Sequence, residues 1–196
     1  MSTNLAVPAR ALAIGAHPDD VEFGCGATLA KWVAAGCEIH HLVCTDGSKG
    51  SWDPAEDVAR LVAVRQDEQR AASRALGGKG EVAFLGWRDG ELEAGQRQRW
   101  EVAYRIRAIK PDVVLGHDPW KRYRLHPDHR AAGFLDRKLA ALFEHRSQLR
   151  STMHIDDPDD AEQVERFRLR IHERAAEHGA LAGLPAGEAF KLLTEL

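Results

Sequence analysis

At 196 residues the chain is long enough for one domain with its own core and too short for two large ones, since domains most often hold about 100–200 residues. Its 44% apolar and 29% charged residues are those of an ordinary globular protein, and a net charge of −3 excludes a global pull toward nucleic acid or anionic membrane. Three cysteines, Cys25, Cys37 and Cys44, form no CxxC pair, which argues against a disulfide framework or a cysteine zinc site and fits a reducing cytoplasm.

The opening MSTNLAVPAR lacks a basic region followed by an apolar stretch, and no apolar run approaches the roughly 20 residues of a membrane span, so a soluble intracellular protein is expected. ALAIGA (11–16) reads as a first strand. GCGATLAKWVAA (24–35) carries Leu29, Trp32 and Val33 at helical spacing before a stop at Gly36. EIHHLVCTD (38–46) is a second strand ending at the Asp46-Gly47 turn signal. His40 and His41 on it face opposite sides, so at least one has no part in chemistry. Residues 55–78 place Val58, Leu61, Val62, Val64, Ala72 and Leu76 at three- and four-residue intervals, an amphipathic helix closed by Gly77-Gly78. EVAFLGW (81–87) is a third strand, 96–109 a helix, and PDVVLGHD (111–118) a fourth strand whose Val113-Val114-Leu115 run suits burial on both faces. From 137 onward the pattern is helical, with an N-cap loop in the acidic stretch 156–160, and His145, His172 and His178 sit in charged surroundings that suggest exposure. Alternating strands and helices predict right-handed βαβ units, hence an α/β fold with a mostly parallel sheet covered by helices on both sides.

In such sheets sites form beyond the carboxyl ends of the strands. The clusters His17–Glu22, Thr45–Ser51, Trp87–Asp89 and His117–His129 all fall there. Asp19-Asp20 before a helix is equally well an N-cap, but capping does not explain His17 at a strand end. In RLHPDHR, His126 and His129 flank Pro127 and Asp128, and Pro127 at the first turn of a helix would aim both rings one way. A borderline-soft divalent ion such as Zn²⁺ needs three N and O ligands and an open position for hydrolysis, and His17, Asp20 and His129 form such a set. Asp19 is then free as general base and His126 to protonate a leaving group or steady an oxyanion. Asp128 either orients a ring or favours a helix start. Thr45, Asp46 and Ser48, with the aromatic rings of Trp52, Trp87, Trp120 and Tyr123, occupy loops that would line a pocket or simply pack. Cys25 reads as a small buried hydrophobe rather than a fourth ligand.

AHPDDVEFGCGATLA together with HPDHRAA resembles the zinc-dependent LmbE-like, or PIG-L-like, N-acetylglucosaminyl deacetylase family over most of residues 10–134, and again near LFEHRSQL through a His-x-Ser-Gln stretch. The resemblance implies a Rossmann-like three-layer sandwich and removal of acetyl from a GlcNAc-type amino sugar with Zn²⁺, or in some members Fe²⁺. It implies His17, Asp20 and His129 as ligands, Asp19 as base and His126 as a catalytic histidine. It also implies sugar contacts at Arg65 and Asp89, although an exposed helix arginine explains Arg65 nearly as well. The chain departs from the family in joining the HPDH region directly to 131–149: it is either one domain over 1–196 shortened after about residue 134, or a sequence from which a segment is omitted there.

The expected partner is a small amino-sugar conjugate, with no nucleic acid and no membrane span; homo-oligomerisation stays open. Two other readings stay open as well. One is a non-haem Fe(II) oxygenase, which shares the two-histidine, one-carboxylate set; the other is a metal-binding module impaired by the shortening.

Overall fold

The computed structural model describes residues 6–92, 95–117, 127–130, 135–181, 183 and 185–189, with 127–130, 135–137 and 189 as backbone alone. Four strands, β1 (Arg10–Gly15), β2 (Glu38–Thr45), β3 (Val82–Trp87) and β4 (Val113–Leu115), form a parallel sheet in the order β3-β2-β1-β4. The chain winds outward from β1 to β2 and β3, then crosses back to place β4 on the other side of β1. This reversal makes a topological switch point between β1 and β4, the place where sites form in open parallel sheets.

Helices α1 (Asp20–Ala34) and α2 (Val58–Ala75) cover one face, where Ala11, Ala13 and Ile39 of the sheet meet Val21, Leu29, Trp32, Ala72 and Leu76. α3 (Gln96–Ile109) covers the other through Val102, Ile106 and Ile109 against Leu12, Leu42 and Ala83. The α/β layering predicted from alternation is therefore the one observed, because each strand of β1 and β2 is apolar on both sides. β4 differs: it ends the described sheet, and Val114 is 44% exposed instead of buried on both faces.

Three further readings are corrected. On α2 the buried stripe is Leu61, Arg65, Gln69, Ala72, Ser73 and Leu76, whereas Val58 and Val64 face outward. Steps of four residues through Arg65 and Gln69 keep the stripe on one face, so two polar residues hold positions the apolar count had missed. α1 begins at Asp20, ahead of the expected 24, and a break at Cys25 (φ −142°) marks where its second, more apolar part starts. Pro127 does not open a helix: β5 (Pro127–Arg130) is extended and pairs antiparallel with β6 (Gly187–Ala189), so the helical reason for aiming His126 and His129 together does not hold.

The C-terminal part packs as a second layer on α1. α4 (Leu135–Phe143) and α5 (Ala161–Ala180) bring Leu139, Leu142, Phe167 and Ile171 against Ala27 and Phe23. α5 is started by the expected acidic cap, with the Asp160 carboxylate accepting from the amides of Glu162 and Gln163. His145, expected at the surface, is fully buried, while His172 is exposed and His178 half-buried.

Candidate active site

All four parallel strands deliver polar residues to the same end of the sheet. Thr45, closing β2, donates through its Oγ1 to Ala16 O at 2.8 Å, which ties the loop after β1 to its neighbour. Asp46 accepts from the amides of Ser48 and Asp89, joining the loops after β2 and β3. The ring of His117, after β4, lies 3.2 Å from the Ala16 amide. The segments just beyond the strand ends thus brace one another, and the groups they carry are brought together across the switch point.

At the opening, His17 Nδ1 lies 3.4 Å from Asp20 Oδ2, and the same oxygen accepts the His17 amide at 2.8 Å. The other ring nitrogen of His17, Nε2, is 3.0 Å from Asp89 Oδ1, and Asp89 Oδ2 accepts from the Lys49 amide at 3.0 Å. His117 Nε2 reaches Asp20 Oδ2 at 3.2 Å. Burial by itself would raise the Asp20 carboxyl, but the hydrogen bonds from His117 and His17 outweigh it and hold the group well below the usual carboxylate range. Those same bonds to Asp20 raise His17 and His117.

Asp19 lies just below, 5% exposed. It occupies the residue before α1, yet its carboxylate makes no capping hydrogen bond and its backbone is left-handed at φ 97°. Capping therefore does not account for it. Burial pushes its carboxyl up to about 7, against the opposing pull of the Arg65 guanidinium and of His145. Arg65 is 3% exposed, with Nη1 donating to Gly47 O at 2.7 Å, Nη2 to Pro18 O at 2.8 Å and Nη2 to Asp19 Oδ2 at 3.4 Å. The guanidinium occupies space that a side chain at position 47 would need, since a Cβ on Gly47 would stand 2.6 Å from Nη1.

The expected residues divide accordingly. His17, Asp19, Asp20, Arg65 and Asp89 converge; His126 lies outside the described residues, as do Trp120 and Tyr123; and His129 is placed only by its backbone in β5, opposite Glu188. Arg65 and Asp89, the expected sugar contacts, are buried and bonded to protein groups. Trp87 is engaged with Glu101 on α3, whereas Trp52 stands 87% exposed on the loop after β2. Reading the sequence left His117 without a role, although its place just beyond a strand end was the available signal.

Among the described residues no group of three His, Cys, Asp or Glu side chains is set to hold a metal ion. The two described members of the expected set do fit one: ligand atoms of a tetrahedral zinc with bonds near 2.0–2.1 Å stand about 3.3 Å apart. The His17–Asp20 separation of 3.4 Å matches that edge, with one nitrogen and one oxygen donor.

A sequence profile of the PIG-L family, described as GlcNAc-PI de-N-acetylase, matches residues 12–140. Diacetylchitobiose deacetylase of Thermococcus kodakarensis is 38% identical over 126 residues, 64% of this chain and 47% of that protein. A 1D-myo-inositol 2-acetamido-2-deoxy-alpha-D-glucopyranoside deacetylase of Mycolicibacterium paratuberculosis is 36% identical over 149 residues, covering 64% and 49%. The chain thus spans about half the length of the curated relatives it matches. In structure, N,N'-diacetylchitobiose deacetylase of Pyrococcus horikoshii superposes with a TM-score of 0.76 at 26% identity, over 95% of this chain and 84% of that one. With the profile covering well over half the residues and both the sheet order and the strand-end cluster in place, the chain belongs to the PIG-L family.

Proposed function

We propose that the chain is a metal-dependent hydrolase that removes acetyl from an N-acetylated amino sugar or GlcNAc conjugate, acting as one catalytic domain shortened after about residue 134. The observation that carries this reading is Asp19: a buried carboxylate with its carboxyl pushed up to about 7, not used as a cap, beside His17 and Asp20 in a PIG-L chain. A base whose pKa lies near neutral pH is matched to taking and returning a proton.

His17, Asp20 and His129 would hold the ion, Zn²⁺ or Fe²⁺. When bound, it supplies Lewis acidity that makes water nucleophilic at neutral pH and polarises the amide carbonyl. Asp20, kept ionised, brings the negative charge that a divalent cation needs. Asp89 orients His17: a carboxylate on the far nitrogen of a metal-binding imidazole fixes its ring and raises its basicity. Arg65 clamps the loops carrying Pro18 and Gly47 and holds a positive charge against Asp19. Asp19 accepts a proton from the attacking water. The proton that the departing amine needs comes from Asp19 or His126, so amide and water end as acetate and free amine. The three buried thiols, free of disulfides, suit a reducing cytoplasm.

The test is a panel of GlcNAc, N,N'-diacetylchitobiose and GlcNAc-inositol, incubated anaerobically with protein loaded with Zn²⁺ or Fe²⁺. Equal amounts of free amine and acetate, lost on chelation, are expected. No amine from any member, or release that requires oxygen, would sink the reading.

A further inference from the structure

Behind Asp19 lies a chain of buried polar groups that the proposed chemistry does not use. The Asp19 amide donates to Gln69 Oε1 at 2.9 Å, Gln69 Nε2 donates to Glu22 Oε1 at 2.8 Å, and Glu22 Oε2 lies 3.2 Å from His145 Nε2. His41 Nε2 stands 3.7 Å from Glu22 Oε1 on the remaining side. Gln69, Glu22, His41 and His145 are all fully buried. They come from α2, α1, β2 and the turn after α4, so four elements meet behind one residue.

The orientation of Gln69 is determined by its partners. A backbone N–H requires an acceptor and a carboxylate requires a donor, so only one of the two amide orientations satisfies both. Flipped, the amide would set N–H against N–H and oxygen against carboxylate oxygen. Glu22 is itself held by the His145 ring, and water has no access to replace any of these bonds. What the chain holds in place is a left-handed backbone, φ 97° and ψ −26°, at a residue that is not glycine. Such a conformation persists only where its surroundings over-determine it. Arg65, one helical turn before Gln69 on α2, meets the carboxylate of the same residue while Gln69 meets its amide.

We propose that Gln69 is a positioning residue: with its amide oriented by Glu22 and His145, it locks the left-handed backbone at Asp19 and so aims the Asp19 carboxylate at the reacting water. This rests on the reading of Asp19 as the base. Displacing a proton acceptor by about 1 Å typically costs on the order of 10²-fold in rate, while substrate binding and metal binding need no such alignment.

The experiment compares Asp19→Asn, Gln69→Met and Gln69→Asn with the wild-type zinc-loaded chain on N,N'-diacetylchitobiose. All are assayed well below their melting temperatures, and their zinc affinity is measured by competition with a chromogenic chelator. Gln69→Asn stays polar but is one methylene too short to span both partners, so it serves where Gln69→Met fails to fold. The expected result is loss of turnover in Asp19→Asn together with a fall of about 10- to 100-fold in kcat for the Gln69 variants, with KM and zinc affinity within about threefold. Turnover lost in Asp19→Asn but kcat preserved in a folded Gln69 variant would overturn the positioning role and leave the proposed base intact. Turnover preserved in Asp19→Asn would remove the base itself, and the positioning role with it.

Discussion

Asp19 combines two costs that a protein ordinarily avoids, a left-handed backbone and a nearly dehydrated carboxylate, and the second has a pH signature. Its folded-state pKa, about 7, lies above the ordinary 3.8, so the folded state binds more protons than the unfolded one between these values. Stability of the metal-free protein falls as pH rises through that window and levels off above about 7. Asp19→Asn removes the burden: the variant should match the wild type near pH 4 and exceed it above pH 7, by on the order of 4 kcal/mol from the size of the shift. Urea unfolding of the metal-free proteins at several pH values checks this, and an equal gain at all pH values would count against ionisation as the cause. At the same scale, His17, Asp20 and Asp19 were legible because they stand in one short motif. Gln69 was not, since nothing adjacent to a glutamine on a helix announces that it will be buried; Glu22 stands in the same motif, but only the fold shows what it meets.

Among the elements, α1 is the one that must be repaired. The backbone leaves helical geometry at Cys25, a break of the kind that frees amides of the turn after it. Glu188 of β6 meets that turn: its Oε1 and Oε2 accept from the Ala27 and Thr28 amides at 3.0 and 2.7 Å, and Lys138 Nζ of α4 pairs with it at 2.8 Å. Both side chains are buried. Glu188→Ala should cost about 3–5 kcal/mol, because it strands a buried ammonium and two amides together. Lys138→Met should cost less, since Glu188 keeps its two backbone donors. Denaturant midpoints for the two variants provide the comparison; the reverse order would mean that the lysine, not the helix repair, is the main contribution. β6 also pairs with β5, so the residue that mends α1 belongs to the strand opposite His129.

For the molecule as a whole, the proposed ion links elements distant in the chain, and its binding adds to the stability of the folded state by mass action. Zn²⁺ at about 100 times its Kd adds about 2.7 kcal/mol, or roughly 5–10 °C in Tm for a chain of this size. Thermal melts with and without zinc should show that rise in the wild type and none in His17→Ala. A rise that persists in His17→Ala would place the ion elsewhere. Among the described residues no helix is long and apolar enough to cross a membrane. At the strand-end cluster His17 is half-exposed and His117 exposed.

The amino-acid sequence alone determined the strand–helix alternation, the two-sided parallel sheet and the placement of His17, Asp20 and Asp89 at strand ends. These follow from hydrophobic periodicity and turn residues, which act over a few positions. The tertiary structure decided the rest. It buried Arg65, Gln69 and His145 where the pattern suggested a solvated face, and turned the segment after Pro127 into a strand. Polar groups survive burial only where partners meet them. Here the partners are remote: Asp19 and Gln69 are 50 positions apart, Glu22 and His145 are 123, and Ala27 and Glu188 are 161. Bonds of that reach exist only once the chain has folded, which is why a local reading sees the Asp19 carboxylate and not the buried groups behind it.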